Sequence, residues 1–276
     1  MRKPARVLQR IYAVSIPVLF CFCVLVAFGP FGLAPEWALV AVAAFLSLLA
    51  VTVLVLRRER KHMEAQGDRS VVDVAPPVTG EWVAVNSPAD KVPSHGTRQL
   101  GQKYAIDVFQ DSGRPLIDGW WPAMRRPDDG FRAFGEPILA VADATVVRAS
   151  DGQRDHLSRN SWPGYLYLML VEAVGRSIGG PHRVLGNHVV LDLGDGVYAA
   201  YAHLKRDSVA VGVGDRVTAG QLIGRCGNSG NTSEPHLHFQ LMDNPEAAEA
   251  RGIPFTWSGV GVPPTGEPFT AAPRSR

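Results

Sequence analysis

The sequence predicts a mainly β fold, an antiparallel sandwich or barrel-like domain, preceded by an α-helical transmembrane hairpin. Three observations predict it. Two uncharged runs lie near the N-terminus, from Ile11 to Pro35 and from Trp37 to Leu56. After Glu81, short β-rich runs alternate with Gly/Pro/Asp/Asn turns. Beyond residue 62 no long amphipathic helical period is evident.

Each uncharged run is long enough to cross a hydrocarbon core of roughly 30 Å, which takes about 20 helical residues. The turn between them, Gly29 to Glu36, holds two glycines and two prolines. The expected spans are 11–33 and 37–56, which makes a membrane the expected location and the lipid bilayer a partner. A cleaved signal peptide fits poorly, because its apolar region is usually about 7–15 residues and a second run follows here. Arg2, Lys3, Arg6 and Arg10 precede the first span, and Arg57, Arg58, Arg60 and Lys61 follow the second. The positive-inside rule therefore places both ends in the cytoplasm.

Of the 276 residues 46% are hydrophobic and 20% charged, which excludes a disordered chain and a collagen. Residues 1–62 carry eight Lys/Arg against two acidic residues, so the rest of this +2 chain is net −4. A slightly acidic globular part argues against a nucleic-acid partner. Of the three cysteines, Cys21 and Cys23 fall in the first span and Cys226 stands alone, so no intradomain disulfide forms.

The organisation read from the chain is a hairpin with basic flanks (1–62), a linker (63–80), a folded domain (81–270) and a tail (271–276). Strands are expected at Trp82–Val85, Ala105–Phe109, Ile138–Val141, Thr145–Ala149, His188–Leu193, Val197–Ala202, Val217, Gln221–Ile223 and Leu237–Met242. Gln110–Gly135 and Ser150–Leu185 read as insertions.

The chemistry concentrates in Gly227-Asn228-Ser229-Gly230-Asn231-Thr232-Ser233-Glu234-Pro235-His236-Leu237-His238-Phe239. Strand residues i and i+2 share a face, so His236 and His238 project together while Leu237 and Phe239 enter the core. Imidazole is both a common zinc ligand and the usual acid–base group near neutral pH. Ser94-His95-Gly96 precedes Tyr104-Ala105-Ile106-Asp107-Val108, which places a carboxylate in an apolar strand, where it needs a partner. Tyr198 to Leu204 ends another alternating strand at His203. His95, Asp107 and His238 can supply three ligands and leave a fourth position for water, the pattern of a catalytic zinc.

At these residues the chain resembles the lysostaphin/LytM-type zinc endopeptidases, which hydrolyse peptide bonds in bacterial cell-wall cross-links. The resembling segment runs from about Pro77 to Phe255. It includes Phe134-Gly135-Glu136-Pro137-Ile138, Gly186-Asn187-His188-Val189-Val190, Tyr201-Ala202-His203-Leu204, Val213-Gly214-Asp215-Arg216-Val217 and Pro235-His236-Leu237-His238-Phe239. The resemblance implies an antiparallel β sandwich of duplicated-hybrid-motif type with a groove over one sheet. It implies one Zn²⁺ held by His95, Asp107 and His238, with His203 and His236 as catalytic histidines. Zinc-activated water would hydrolyse a peptidoglycan peptide, His236 taking its proton and His203 stabilising the oxyanion. The familiar pattern sets the first His and the Asp four residues apart; here the interval is twelve.

His62 reads as part of the basic membrane flank, His156 and His182 as solvated positions, and His188 as a packed one. Trp120-Trp121 with Arg125-Arg126 reads either as a groove wall or as a loop packed by its own tryptophans. The alternative function is a catalytically silent regulatory or binding module of the same fold, which would lack one of the five site residues. A biotinyl or lipoyl carrier, suggested by Val211 to Gly220, lacks a lysine at the required turn. A cell-wall substrate places the domain outside the membrane, against the charge rule.

Overall fold

The computed structural model describes residues 67–272 together with scattered positions between 39 and 58. The chain divides into two units, Met1–Asp68 and Arg69–Arg276.

In the first unit, the described positions between Leu39 and Arg58 are helical. The membrane hairpin is corrected here: among the described residues no helix is long and apolar enough to cross a membrane, a task that takes about 20 residues. The span expected at 11–33 lies outside the described residues, as does much of that at 37–56. The expected membrane localisation and bilayer partner are corrected with it.

The second unit is mainly β, as expected. Its strands are β1 (Val72–Val74), β2 (Gly80–Val85), β3 (Ile106–Phe109), β4 (Pro137–Leu139), β5 (Ala144–Ser150), β6 (Asn187–Asp192), β7 (Tyr198–Leu204), β8 (Arg216–Val217), β9 (Leu222–Arg225), β10 (Leu237–Met242), β11 (Gly252–Ile253), β12 (Phe255–Trp257) and β13 (Pro268–Ala271). Nine of them form one sheet in the order β13-β2-β3-β10-β7-β6-β5-β8, with β11 also paired to β10. Every pairing in this sheet is antiparallel. Two ribbons complete the unit, an antiparallel β4–β9 and a parallel β1–β12. Strand β1 belongs to the stretch expected as linker; its residues pair with Phe255–Trp257 and so are tied into the fold.

Period-2 alternation decides what each face of the sheet does. On one face Val189, Leu191, Tyr201, Leu237, Phe239 and Leu241 pack with Ile138 and Ile223 of one ribbon and Val74, Phe255 and Trp257 of the other. The core therefore lies between the sheet and the two ribbons. Phe239 is its hub, in edge contact with Tyr201 at 5.4 Å and Phe255 at 5.1 Å between ring centroids. Truncating a phenylalanine in such a place costs about 3–5 kcal/mol. The opposite face carries a smaller cluster, with Val190, Ala200, Ala202 and Met242. Its floor of small alanines leaves room for the side chains that stand beside them.

The second insertion is partly helical. It holds helical turns at Trp162–Tyr167, Leu168–Glu172 and Ala173–Gly179, the middle one wound as a π-helix. Ser161 caps the first by accepting from Gly164 N. Glycines at 164, 175 and 179 and apolar residues on all sides blur the 3.6-residue period that would have announced these turns. Trp120 and Trp121 are 69% and 84% exposed, so the first insertion is not packed by its own tryptophans.

Candidate metal centre

Three strands and two loops bring the five predicted residues to one place on the alanine-floored face. In the β3–β10 ladder His238 is paired with Asp107, and in the β10–β7 ladder it is paired with Ala202. Directly paired residues share a face, so His238, Asp107 and Gln240 stand together there. His95 joins them across its twelve-residue interval because Gln99–Tyr104 coils into short helical turns. The Ser94 amide then donates to the Lys103 carbonyl at 3.1 Å and closes the loop beside Asp107.

His203 reaches the same face by a different device. Alternation from Ala202 would send it into the core. The register slips between Asn187↔Leu204 and Val189↔Tyr201, which gives β7 an extra residue there. His203 itself adopts φ 62°, a left-handed conformation uncommon for a residue with a Cβ. This bulge re-aims the ring, whose centroid lies 4.8 Å from that of His236 and 5.7 Å from that of His238.

The distances around the carboxylate are short. His95 Nε2 lies 2.9 Å from Asp107 Oδ2, and His238 Nδ1 lies 2.8 Å from Oδ1. His236 Nε2 is 3.6 Å from Oδ1. One ligand atom from each of His95, Asp107 and His238 lies within 4.8 Å of the others.

The outer hydrogen bonds assign the tautomers. Ser94 Oγ donates to the Ala105 carbonyl at 2.6 Å, so it accepts from His95 Nδ1–H at 3.0 Å. The Gln240 amide nitrogen donates to the Leu100 carbonyl at 2.7 Å, which leaves its oxygen to accept from His238 Nε2–H at 3.0 Å. The inner nitrogens of both histidines are thereby the lone-pair atoms, and both face the Asp107 carboxylate. Lone pairs converging on lone pairs need positive charge between them, supplied by extra protons or by a cation.

The titration behaviour expresses the same demand. Burial pushes the Asp107 carboxyl up, yet the nearby His95 and His236 rings and hydrogen bonds with His238 and His95 outweigh it and hold it well below the usual range. Burial opposes the proton on His238, but its bond to Asp107 prevails and its pKa is raised. His203 is held well below its ordinary value by burial, reinforced by His236 and His238. His236 is lowered mainly by burial, with Asp107 partly compensating. Both are therefore neutral. The His203 Nδ1–H donates to the Ser229 carbonyl at 2.9 Å and the His236 Nδ1–H to the Glu234 carbonyl at 2.7 Å. Their Nε2 atoms are acceptors.

Residues 170–250 match Peptidase family M23. This stretch holds His203, His236 and His238, the residues whose placement has just been described. Over that stretch the chain is similar to peptidase family M23. Glycyl-glycine endopeptidase ALE-1 of Staphylococcus capitis is 36% identical over 117 residues, covering 42% of this chain and 24% of that protein. Lysostaphin of Staphylococcus simulans is 45% identical over 117 residues, 42% of this chain and 17% of its own. Peptidoglycan DD-endopeptidase ShyA of Vibrio cholerae is 37% identical over 82 residues, 30% of this chain and 17% of its own. The chain spans a quarter or less of the length of these curated relatives. Among solved structures, the catalytic domain of lysostaphin from Staphylococcus simulans covers 54% of this chain and 74% of its own at 23% identity, with a TM-score of 0.31. Zinc is the metal of peptidase family M23, and a donor set of two imidazoles with one carboxylate suits it.

Several residues around this cluster were not singled out from the sequence. Asn86 donates to Asp107 Oδ2 at 2.9 Å. Gln240 orients His238, and its place two residues further along the strand was a readable signal. Thr232 Oγ1 lies 3.0 Å from His236 Nδ1. His156, expected in solvent, is 8% exposed. His188 is buried, its Nδ1–H on the Gly186 carbonyl at 2.8 Å, in line with the packing role expected of it.

Proposed function

We propose that this protein is a zinc metalloendopeptidase that hydrolyses peptide bonds in peptidoglycan cross-links. The observation that carries this reading is the convergence of the His95 Nε2 and His238 Nδ1 lone pairs on the Asp107 carboxylate, with the His203 and His236 rings alongside. The names of the relatives, two of them glycyl-glycine or peptidoglycan endopeptidases, support the substrate class.

His95, Asp107 and His238 would hold the metal. Zinc supplies Lewis acidity that polarises a carbonyl and lowers the pKa of water from 15.7 to about 7. The chain's own residues do the rest. His236 presents an acceptor Nε2 that can take a proton from water. The imidazolium so formed lies beside Asp107 at 3.6 Å, which favours the charge. It can then return the proton to the leaving amine, the usual acid–base cycle. His203 lacks that carboxylate contact and stays neutral. Its acceptor Nε2 is suited to holding a water hydrogen or a substrate N–H, rather than to donating to an oxyanion.

The test is direct. The full-length protein, loaded with zinc, is incubated with purified peptidoglycan and the released muropeptides are identified by mass spectrometry. Cleavage that a chelator or His238→Ala abolishes supports the proposal. Zinc-loaded protein that binds peptidoglycan but releases no new amine would make it a binding module.

A further inference from the structure

The second insertion runs along the turn that orients His203. The His156 amide donates to the Asn228 carbonyl at 3.1 Å, and Asn228 Nδ2 donates back to the His156 carbonyl at 2.7 Å. Asp155 Oδ1 accepts from the Asn228 amide at 2.7 Å. Arg159 N donates to the Ser233 carbonyl at 2.5 Å. The buried His156 ring reaches between these contacts, with Nε2 2.9 Å from the Gly230 carbonyl and Nδ1 2.7 Å from the Leu157 carbonyl. Ser229, flanked by Asn228 and Gly230, presents the carbonyl that receives the His203 Nδ1–H. The Ser229 hydroxyl donates to the Leu204 carbonyl at 2.7 Å and accepts from the Asn187 amide at 2.9 Å. On the other side the turn has no room to shift: a Cβ at Gly230 would meet Gly186 N at 2.5 Å and Val184 O at 2.6 Å.

We propose that His156 is a positioning residue: by holding the Gly230 carbonyl it fixes the 227–231 turn, so that Ser229 sets the tautomer and aim of His203. It touches no substrate or metal ligand and acts only through the turn. With its proton on Nε2 a neutral imidazole donates to the Gly230 carbonyl and leaves Nδ1 beside the Leu157 carbonyl, whereas an imidazolium donates to both. Burial, helped by the Arg176 and Arg159 cations, keeps His156 below its ordinary pKa. Glu172 faces the same cluster, pairing with Arg159 at 2.8 Å and Arg176 at 3.2 Å.

The inference rests on the peptidase reading for its rate readout but not for its spectroscopic one. In the full-length zinc-loaded protein, His156→Ala is expected to lower kcat about tenfold with KM changed by less than about twofold, the cost of a small misplacement of a reacting group. The nitrogen-15 shifts of the His203 ring should move away from the Nδ1–H tautomer. His156→Gln, whose amide N–H can reach the Gly230 carbonyl, should restore most of both. A folded His156→Ala protein with wild-type kcat and wild-type His203 shifts overturns the proposal. If the wild-type protein cleaves no peptide, the peptidase reading falls and the His203 shifts alone decide the positioning role. If the alanine variant does not fold, a loss of kcat in His156→Gln with His203 shifts unchanged overturns it.

Discussion

His238 stands directly opposite Asp107 in the β3–β10 ladder, and its Nδ1 lies 2.8 Å from that carboxylate. Strand pairing alone therefore delivers two of the three proposed ligands, with no loop to order. The third, His95, depends on a loop closed by Ser94, which makes it the one member of the set supplied from outside the sheet.

Positive charge is what this arrangement lacks, so zinc should stabilise it. Free zinc at a hundredfold excess over Kd adds about 2.7 kcal/mol to a protein that binds it only when folded. Thermal melts of the chelator-treated protein should rise with added zinc and should not rise for Asp107→Ala. A zinc-independent melting curve for the wild type would count against the site.

Gln240 is buried between His238 and Leu100, and losing it frees the His238 ring to change tautomer. Gln240→Leu should weaken zinc binding about 10–100-fold, the usual cost of removing an outer partner of a ligand histidine. Competition against a chromogenic chelator measures this. Gly101→Ala should weaken binding in the same way, because a Cβ there would meet the Gln240 amide nitrogen at 2.7 Å and the backbone φ is +76°.

His236 is outside the proposed ligand set but beside it. His236→Ala should retain zinc while kcat falls by about 10²–10⁴, the usual contribution of a positioned acid–base group. Zinc content and turnover measured on the same preparation separate the two effects. Zinc loss in this variant would instead make His236 a ligand.

Glu234 provides a stability signal that depends on pH. Burial raises its carboxyl to about 7, with the Arg114 charge partly opposing. The native carboxyl keeps its proton where the unfolded chain, near 4.5, has lost it. Its contribution to stability is therefore fully present below pH 4.5 and disappears as pH rises through about 7. Denaturation midpoints followed over that range should decline for the wild type relative to Glu234→Gln, in which the side chain cannot ionise. Parallel curves would mean the carboxyl titrates normally.

The strands around the site were legible because burial of one face imposes a period of two on the residues themselves. Leu237, Phe239 and Leu241 point into the core while His238 and Gln240 point to the opposite face, and a one-residue slip would turn the imidazole into the core. The helical turns at 162–179 were not legible, because their glycines and all-round apolar residues carry no such period. The membrane hairpin was read from hydropathy, and no helix among the described residues supports it.

By itself the sequence determined the His-x-His strand, the carboxylate in an apolar strand and the alternation that sorts core from groove, since each depends on neighbours along the chain. Only the tertiary structure decided that His95 closes on Asp107 across twelve residues, that a bulge turns His203 outward and that His156 lies under the 227–231 turn. Those three depend on hydrogen bonds between segments far apart in the chain, whose partners no local spacing encodes.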